Sequence, residues 1–299
     1  MRHSRQLLLS ALCALSFPAP AAAQQSGPPA QADGQTVTVT GERPDSEAER
    51  RREAARFVDS HAVRTRIGQL ARWHEPICVR AGGLPLEMNA RIAIRVMEVA
   101  ERLDIPTNRA ELCAPNVRIV FSSEPQRMVR LAERRNHQVI GFHYAARREE
   151  LMRVRQPVQA WYVTTTRAGD NAGVIDQAGA PAPGGRPDSR LGNAVSSGLA
   201  HVLILADTRH VVGEEADSIA DLVAFLALAQ TPVAETCDES ETILNLMNPA
   251  CPPDRRPVAL TRHDSAYLQA LYRMGADAAP RMQQGSIVRN MTEALDGGR

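Results

Sequence analysis

Two stretches decide the fold. Residues 201–207 read HVLILAD, and residues 217–230 read DSIADLVAFLALAQ. The first is an unbroken apolar run between His201 and Asp207, the signature of a strand buried on both faces. In the second, Ile219, Leu222, Val223 and Leu226 form an i, i+3, i+4, i+7 stripe. Phe225 and Leu228 carry that stripe nearly all round, which predicts a helix at the centre of the molecule. Working upstream, VQAWYVTT at 158–165 is β-branched and aromatic and reads as a strand. Residues 116–122 form a short apolar strand behind Pro115, and 124–135 an Arg-rich helix. Residues 86–103 form an amphipathic helix on Ile92, Val96, Val99 and Leu103. Downstream, 261–273 is a helix with Thr261 as N-cap and Asp264 at N3, and a last helix runs near 286–295. Strands and helices alternate loosely and helices dominate late. The expectation is an α+β fold, one main domain over 57–299, with a small mixed sheet packed by several helices and a helix-rich C-terminal part. Residues 166–193 hold six Gly and three Pro and predict a long flexible loop.

The 299 residues, 43% apolar and 23% charged, suffice for one large domain or two small ones. They are too few for an outer-membrane transporter barrel of about 22 strands. All 35 basic residues are Arg, and there is no Lys. That excludes P-loop, Schiff-base, pyridoxal-phosphate and Ser-Lys chemistry, each of which needs an amine. Acids and bases nearly cancel, so no basic field points to nucleic acid, and no nucleic-acid partner is expected.

Residues 1–23 read as a secretory signal: Arg2 and Arg5, an apolar run at 7–17, and Ala21-Ala22-Ala23 before Gln24. No later run reaches the roughly 18 apolar residues of a spanning helix, so no transmembrane segment is expected once the signal is removed. The expected location is the periplasm, or secretion. Residues 24–56 are expected to be a leader. Within it, QTVTVTGER, from Gln35 to Arg43, alternates with period two and stops at Pro44. This strip resembles the TonB box of outer-membrane receptors, which implies edge-to-edge pairing with a periplasmic protein. A strand of the protein's own sheet, or an unstructured leader, is the alternative. Residues 46–56 predict a charged linker helix capped by Ser46, with the folded part beginning near Phe57.

Beyond Cys13, in the signal, four cysteines remain: Cys78, Cys113, Cys237 and Cys251. An even number in an exported chain favours bridges. Cys78–Cys113 and Cys237–Cys251 are the preferred pairs because both close local loops. The spacing has no C-x-x-C for zinc, so no metal and no cofactor are expected. His74 lies four residues before Cys78, but an oxidising compartment would consume that thiol in a bridge.

The strongest local charge bias is residues 118–155, with nine Arg against four Glu. Guanidinium forks bind carboxylate and phosphate in pairs. Arg127, Arg130, Arg134, Arg135, Arg147 and Arg148 are therefore candidates for contact with an anionic envelope component. The alternative is a solvated helix face. Asp217 and Asp221 lie one turn apart and are candidates for sharing a proton or a cation. Their alternative is a helix cap and an Arg partner. His143 and His210 are further acid–base candidates. H-E-x-x-H, G-x-S-x-G and G-x-G-x-x-G are all absent.

Several strings together resemble an uncharacterised family of exported proteins from Gram-negative bacteria. They are Gly68-Gln69-Leu70-Ala71-Arg72-Trp73, Ile119-Val120-Phe121, Gln159-Ala160-Trp161-Tyr162, Ile219-Ala220-Asp221-Leu222 and Asp264-Ser265-Ala266-Tyr267-Leu268. That resemblance implies export, folding and disulfides, and no activity. A looser similarity is to the zinc-peptidase-like scaffold, whose central helix carries H-E-x-x-H. Here the corresponding helix has no histidine, which implies that the peptidase chemistry is missing. The sequence thus predicts an exported, non-catalytic binding or structural module. The alternative is a hydrolase of an envelope polymer using the carboxylates or histidines above.

Overall fold

An apolar run can be buried on one face or on both, and the partners of its alternate residues settle which. The computed structural model describes residues 46–141, 145–168, 174–175, 195–275 and 278–296. The signal, the strip at 35–43, His143 and most of 166–193 lie outside these described residues. In chain order the elements are α1 (Glu47–His61), β1 (Val79–Gly82), α2 (Leu86–Glu101), β2 (Val117–Ser122), α3 (Pro125–Arg135), α4 (Ala145–Leu151), β3 (Val158–Ala168), β4 (Val174–Ile175), β5 (Val195–Asp207), α5 (Thr208–Val211), α6 (Ala216–Leu228), α7 (Arg262–Arg273) and α8 (Pro280–Asp296). The fold is α+β: one mixed sheet, helices on both faces and a helical C-terminal part.

The sheet order is β1-β2-β5-β3-β4. β1, β2 and β5 run parallel, whereas β3 is antiparallel to β5 and to the two-residue β4. β5 is the middle strand, and its residues alternate between two cores. Val202, Ile204 and Ala206 join Val117, Ile119 and Phe121 of β2 under helices α2 and α6, with α1, α7 and α8 completing that side. Leu203 and Leu205 face the other way, with Trp161, onto Val129 of α3 and Ile140. Burial on both faces is why HVLILAD shows no polar alternation. Helix α6 is buried from Ser218 to Leu228. Its last carbonyls are met by side chains, since a helix end has no partners of its own. Trp73 Nε1 donates to Ala227 O at 2.8 Å and the Tyr272 hydroxyl to Leu228 O at 2.7 Å.

The structure corrects several expected boundaries. The helix at 46–56 is not a solvated linker, and order does not begin at Phe57. Ser46 makes its capping box with Glu49, and α1 runs unbroken to His61. Ala54, Phe57, Val58 and His61 are buried. These fall at i, i+3, i+4 and i+7, a stripe that starts only after two turns that are polar but for Ala48. Strand β5 begins at Val195, not His201, and β3 runs to Ala168, not Thr165. Backbone pairing from Thr164↔Leu199 to Ala168↔Val195 carries this extension where the sequence is small and polar. Gly198 has Thr165 and His74 against its α-carbon, so a small residue suits that position. The last helix begins at Pro280, six residues before the expected start.

Turn chemistry positions the rest. Gly83, at φ 101°, links β1 to α2, and a side chain there would collide with the Phe121 carbonyl. Thr261 and Asp264 form the expected capping box of α7. Asp264 is fully buried and also accepts from Thr242 Oγ1 at 2.7 Å and the Ile243 N–H at 2.8 Å. The cysteines pair as Cys78–Cys113 and Cys237–Cys251, 35 and 14 residues apart. Loop closure in the unfolded chain assigns these bridges about 4 and about 3 kcal/mol. Among the described residues no helix is long and apolar enough to cross a membrane.

Candidate anion-binding crevice

The chain leaves two neighbouring parallel strands in opposite directions. After β2 it turns into α3 on one face of the sheet, and after β5 it leads to α6 on the other. Such divergence opens a crevice at the carboxyl ends of the strands, the habitual ligand position in open sheets of this kind. Here the crevice has a volume of about 900 Å³. Its walls are α3, the segment 154–157 that enters β3, and the end of β5 with α5.

Helix α3 is amphipathic in an unusual sense. Val129 is fully buried beneath it. Arg127, Arg130, Leu131 and Arg134 occupy i, i+3, i+4 and i+7 and line the crevice. Arg127 is paired with Glu124 at 2.9 Å. Arg130 and Arg134 meet no carboxylate among the described residues. Opposite them, Arg155 reaches Glu235 at 2.7 Å and Glu150 at 3.2 Å. Arg209 grips Asp207 through both its oxygens, at 3.0 and 2.6 Å. Asp207 is only 4% exposed. The Arg209 guanidinium hydrogen bonds hold its carboxyl below the usual range, outweighing the opposite effect of burial. His210 Nδ1 lies 3.5 Å from the same carboxylate. The lining therefore sets five guanidinium groups against two carboxylates, Glu124 and Asp207. A second hollow of about 440 Å³ lies beyond Arg130 and Arg134, between α3 and α4.

Of the candidates read from sequence, Arg127, Arg130, Arg134 and His210 converge on this crevice. Arg135 is exposed and Arg148 turns to Glu133 at 3.5 Å, neither lining it. His143 and the side chain of Arg147 lie outside the described residues. Asp217 and Asp221 are elsewhere, on the seam between α2 and α6. Arg91 holds Asp217 in a two-pronged contact at 2.7 and 2.5 Å. Arg95 Nε donates to Asp221 at 2.6 Å, and the Leu260 N–H donates to its other oxygen at 2.9 Å. With these partners the two carboxylates hold helices together and have no shared proton. Cys78 is in its bridge, and His74 turns to Ser197 O at 3.3 Å.

Sequence reasoning missed Asp207, Arg209 and Arg155. The available signal was position: charged residues directly at the carboxyl end of a buried strand and at the entry to its neighbour. Among the described residues no group of three or more His, Cys, Asp or Glu is placed to hold a metal ion. Compared with protein-family models, curated proteins and solved structures, the chain matches none.

Proposed function

We propose that this chain is an exported binding module that takes an anionic ligand in the crevice between β2 and β5. The observation that carries the reading is the state of Arg130 and Arg134. Two guanidinium groups one turn apart face a cavity of small-molecule size and form no ion pair with a carboxylate among the described residues. A ligand carboxylate or phosphate supplies what they lack, in the two-pronged geometry that guanidinium favours. Export is supported by the signal-like residues 1–23 and by the two bridges, which persist in oxidising compartments. Protein recovered from a periplasmic fraction with a mass starting near Gln24 would bear this out; an uncleaved, reduced cytosolic chain would sink it.

The binding reading is tested by calorimetric titration of the oxidised protein with inorganic phosphate and with acetate at low ionic strength. Wild type binds, and more weakly as salt rises. The double variant Arg130→Gln/Arg134→Gln loses at least tenfold in affinity while its thermal melt is unchanged. Equal affinity in both proteins would overturn the assignment.

One observation favours a second reading, hydrolysis of an envelope polymer: His210 lies beside Asp207 in the same crevice. A carboxylate can orient an imidazole for acid–base work. Against it, both oxygens of Asp207 are already engaged by Arg209. Turnover of an ester or glycoside that His210→Ala abolishes would put this reading ahead.

A further inference from the structure

We infer that the ligand is a single-chain amphiphile, with its anionic head on Arg130 and Arg134 and its apolar chain directed past Gln156 into the interior. This inference rests on the binding reading above and deepens it. Three observations carry it. The first is the apolar lining between the cations. Leu131 is 39% exposed on the same stripe as Arg130 and Arg134, and Val154, Pro157 and Pro249 also line the crevice. A bare inorganic anion makes no use of such a surface, whereas a hydrocarbon chain removes it from water.

The second is what lies behind the crevice. A cavity of about 50 Å³ shares Gln156 with it. Its Val158 and Asn248 are the chain neighbours of the crevice residues Pro157 and Pro249. Its walls are mainly apolar, with Leu222, Leu226, Val233, Leu244 and Met247 among them. Apolar walls of this kind are covered favourably by methyl and methylene groups. Its size admits the end of a chain while the crevice holds the rest.

The third is the partition. Gln156 Nε2 donates to the Ala234 carbonyl, and Gln156 Oε1 is buried with no hydrogen-bond partner among the described residues. An unmet acceptor is a weak point in a wall. It sits where the two spaces meet, and turning that side chain aside gives up one hydrogen bond, the one to Ala234.

The test is calorimetry of the intact, oxidised protein with acetate, butanoate, hexanoate and octanoate, all as monomers, with 1-octanol as the uncharged control. Affinity rises with chain length by up to about fourfold per methylene buried. The heat-capacity change of binding grows more negative along the series, a readout that needs no variant. Val233→Phe, filling the inner cavity from a half-buried loop position, flattens the series and leaves acetate binding unchanged. Arg130→Gln/Arg134→Gln weakens all four carboxylates alike. Equal affinity for acetate and octanoate in wild type, with binding still dependent on both arginines, overturns the amphiphile and leaves the anion reading standing. Octanol bound as tightly as octanoate, with no effect of the double variant, overturns the anion reading itself. Retention on anionic lipid vesicles with no binding of monomeric octanoate overturns the inference in favour of a surface contact.

Discussion

The seam between α2 and α6 and the wall formed by α3 use the same side chain in opposite states. On the seam, Arg91 and Arg95 stand one turn apart and meet Asp217 and Asp221, also one turn apart. On the wall, Arg130 and Arg134 have the same spacing and meet no carboxylate among the described residues. The seam lies in the helix layer on one face of the sheet, and at its inner end, where Asp221 is buried, charge entering the core must be answered. The wall looks into an open crevice in which Arg130 and Arg134 are exposed, so solvent answers their charge until a ligand does. In a chain whose only strong base is Arg, composition cannot separate the two uses. Pairing separates them, and pairing is set by the fold.

The sharpest way to break this comparison is to unpair the seam. Asp221 is 3% exposed and holds both Arg95 and the Leu260 N–H. Asp221→Ala strands both donors, at a cost of about 2 to 3 kcal/mol. For a domain of this size that is a fall of roughly 5 to 10 °C in Tm. Asp217→Ala removes a pair that stands in solvent, and exposed pairs contribute little. Thermal melts of the two variants side by side check the contrast. Equal falls would show that burial is not what gives the seam its strength.

That seam also marks what was legible beforehand. Helix α6 was readable because it is apolar on nearly every side, and α7 because Thr261 and Asp264 spell its cap. The two-faced burial of β5 was readable from HVLILAD alone. The partners of Asp217 and Asp221 were not, because Arg91 and Arg95 lie 126 residues earlier and nothing local announces them. The start of α1 was obscured by its polar first turns. The crevice was half readable: the Arg stripe of α3 is a local pattern, whereas Arg155, Asp207 and Arg209 are joined to it only by strand order. A site made by two strands parting company leaves no periodic trace in the sequence.

A smaller effect is expected from acid. His201, on β5, has no partner for its buried Nδ1 among the described residues. Burial, with the Arg118 charge adding to it, pushes its imidazole down to about 4. Burial lowers His61 as well, although its hydrogen bond to the Phe57 carbonyl opposes the shift. In the unfolded chain both rings take a proton near pH 6.5. Between pH 6.5 and 4 the unfolded state therefore binds more protons than the folded state, and stability falls as pH falls. Discounted for partial exposure, the His201 share is about 2 kcal/mol. The seam carboxylate Asp217 is held below the usual carboxylate range by Arg91, so its loss comes at lower pH and the two windows separate. Denaturant melts from pH 7 to pH 4 check this, with His201→Leu expected to flatten the slope. An unaltered slope would assign the acid sensitivity to other groups.

The smallest change is expected where the comparison matters most. Removing both charges on the wall, in Arg130→Gln/Arg134→Gln, breaks no ion pair among the described residues. Like charges at i and i+4 repel, and Gln forms helix about as readily as Arg. The ligand-free variant should melt at the wild-type temperature or slightly above it, and addition of phosphate should raise Tm in wild type alone. A residue that stabilises the fold cannot behave this way, since its loss must show in the absence of ligand. A residue kept for binding should, because natural sites retain charges that cost stability when a ligand repays them. A clear fall in the Tm of the ligand-free variant would move Arg130 and Arg134 to the same side of the comparison as Arg91 and Arg95, and the crevice would lose its claim to be a site.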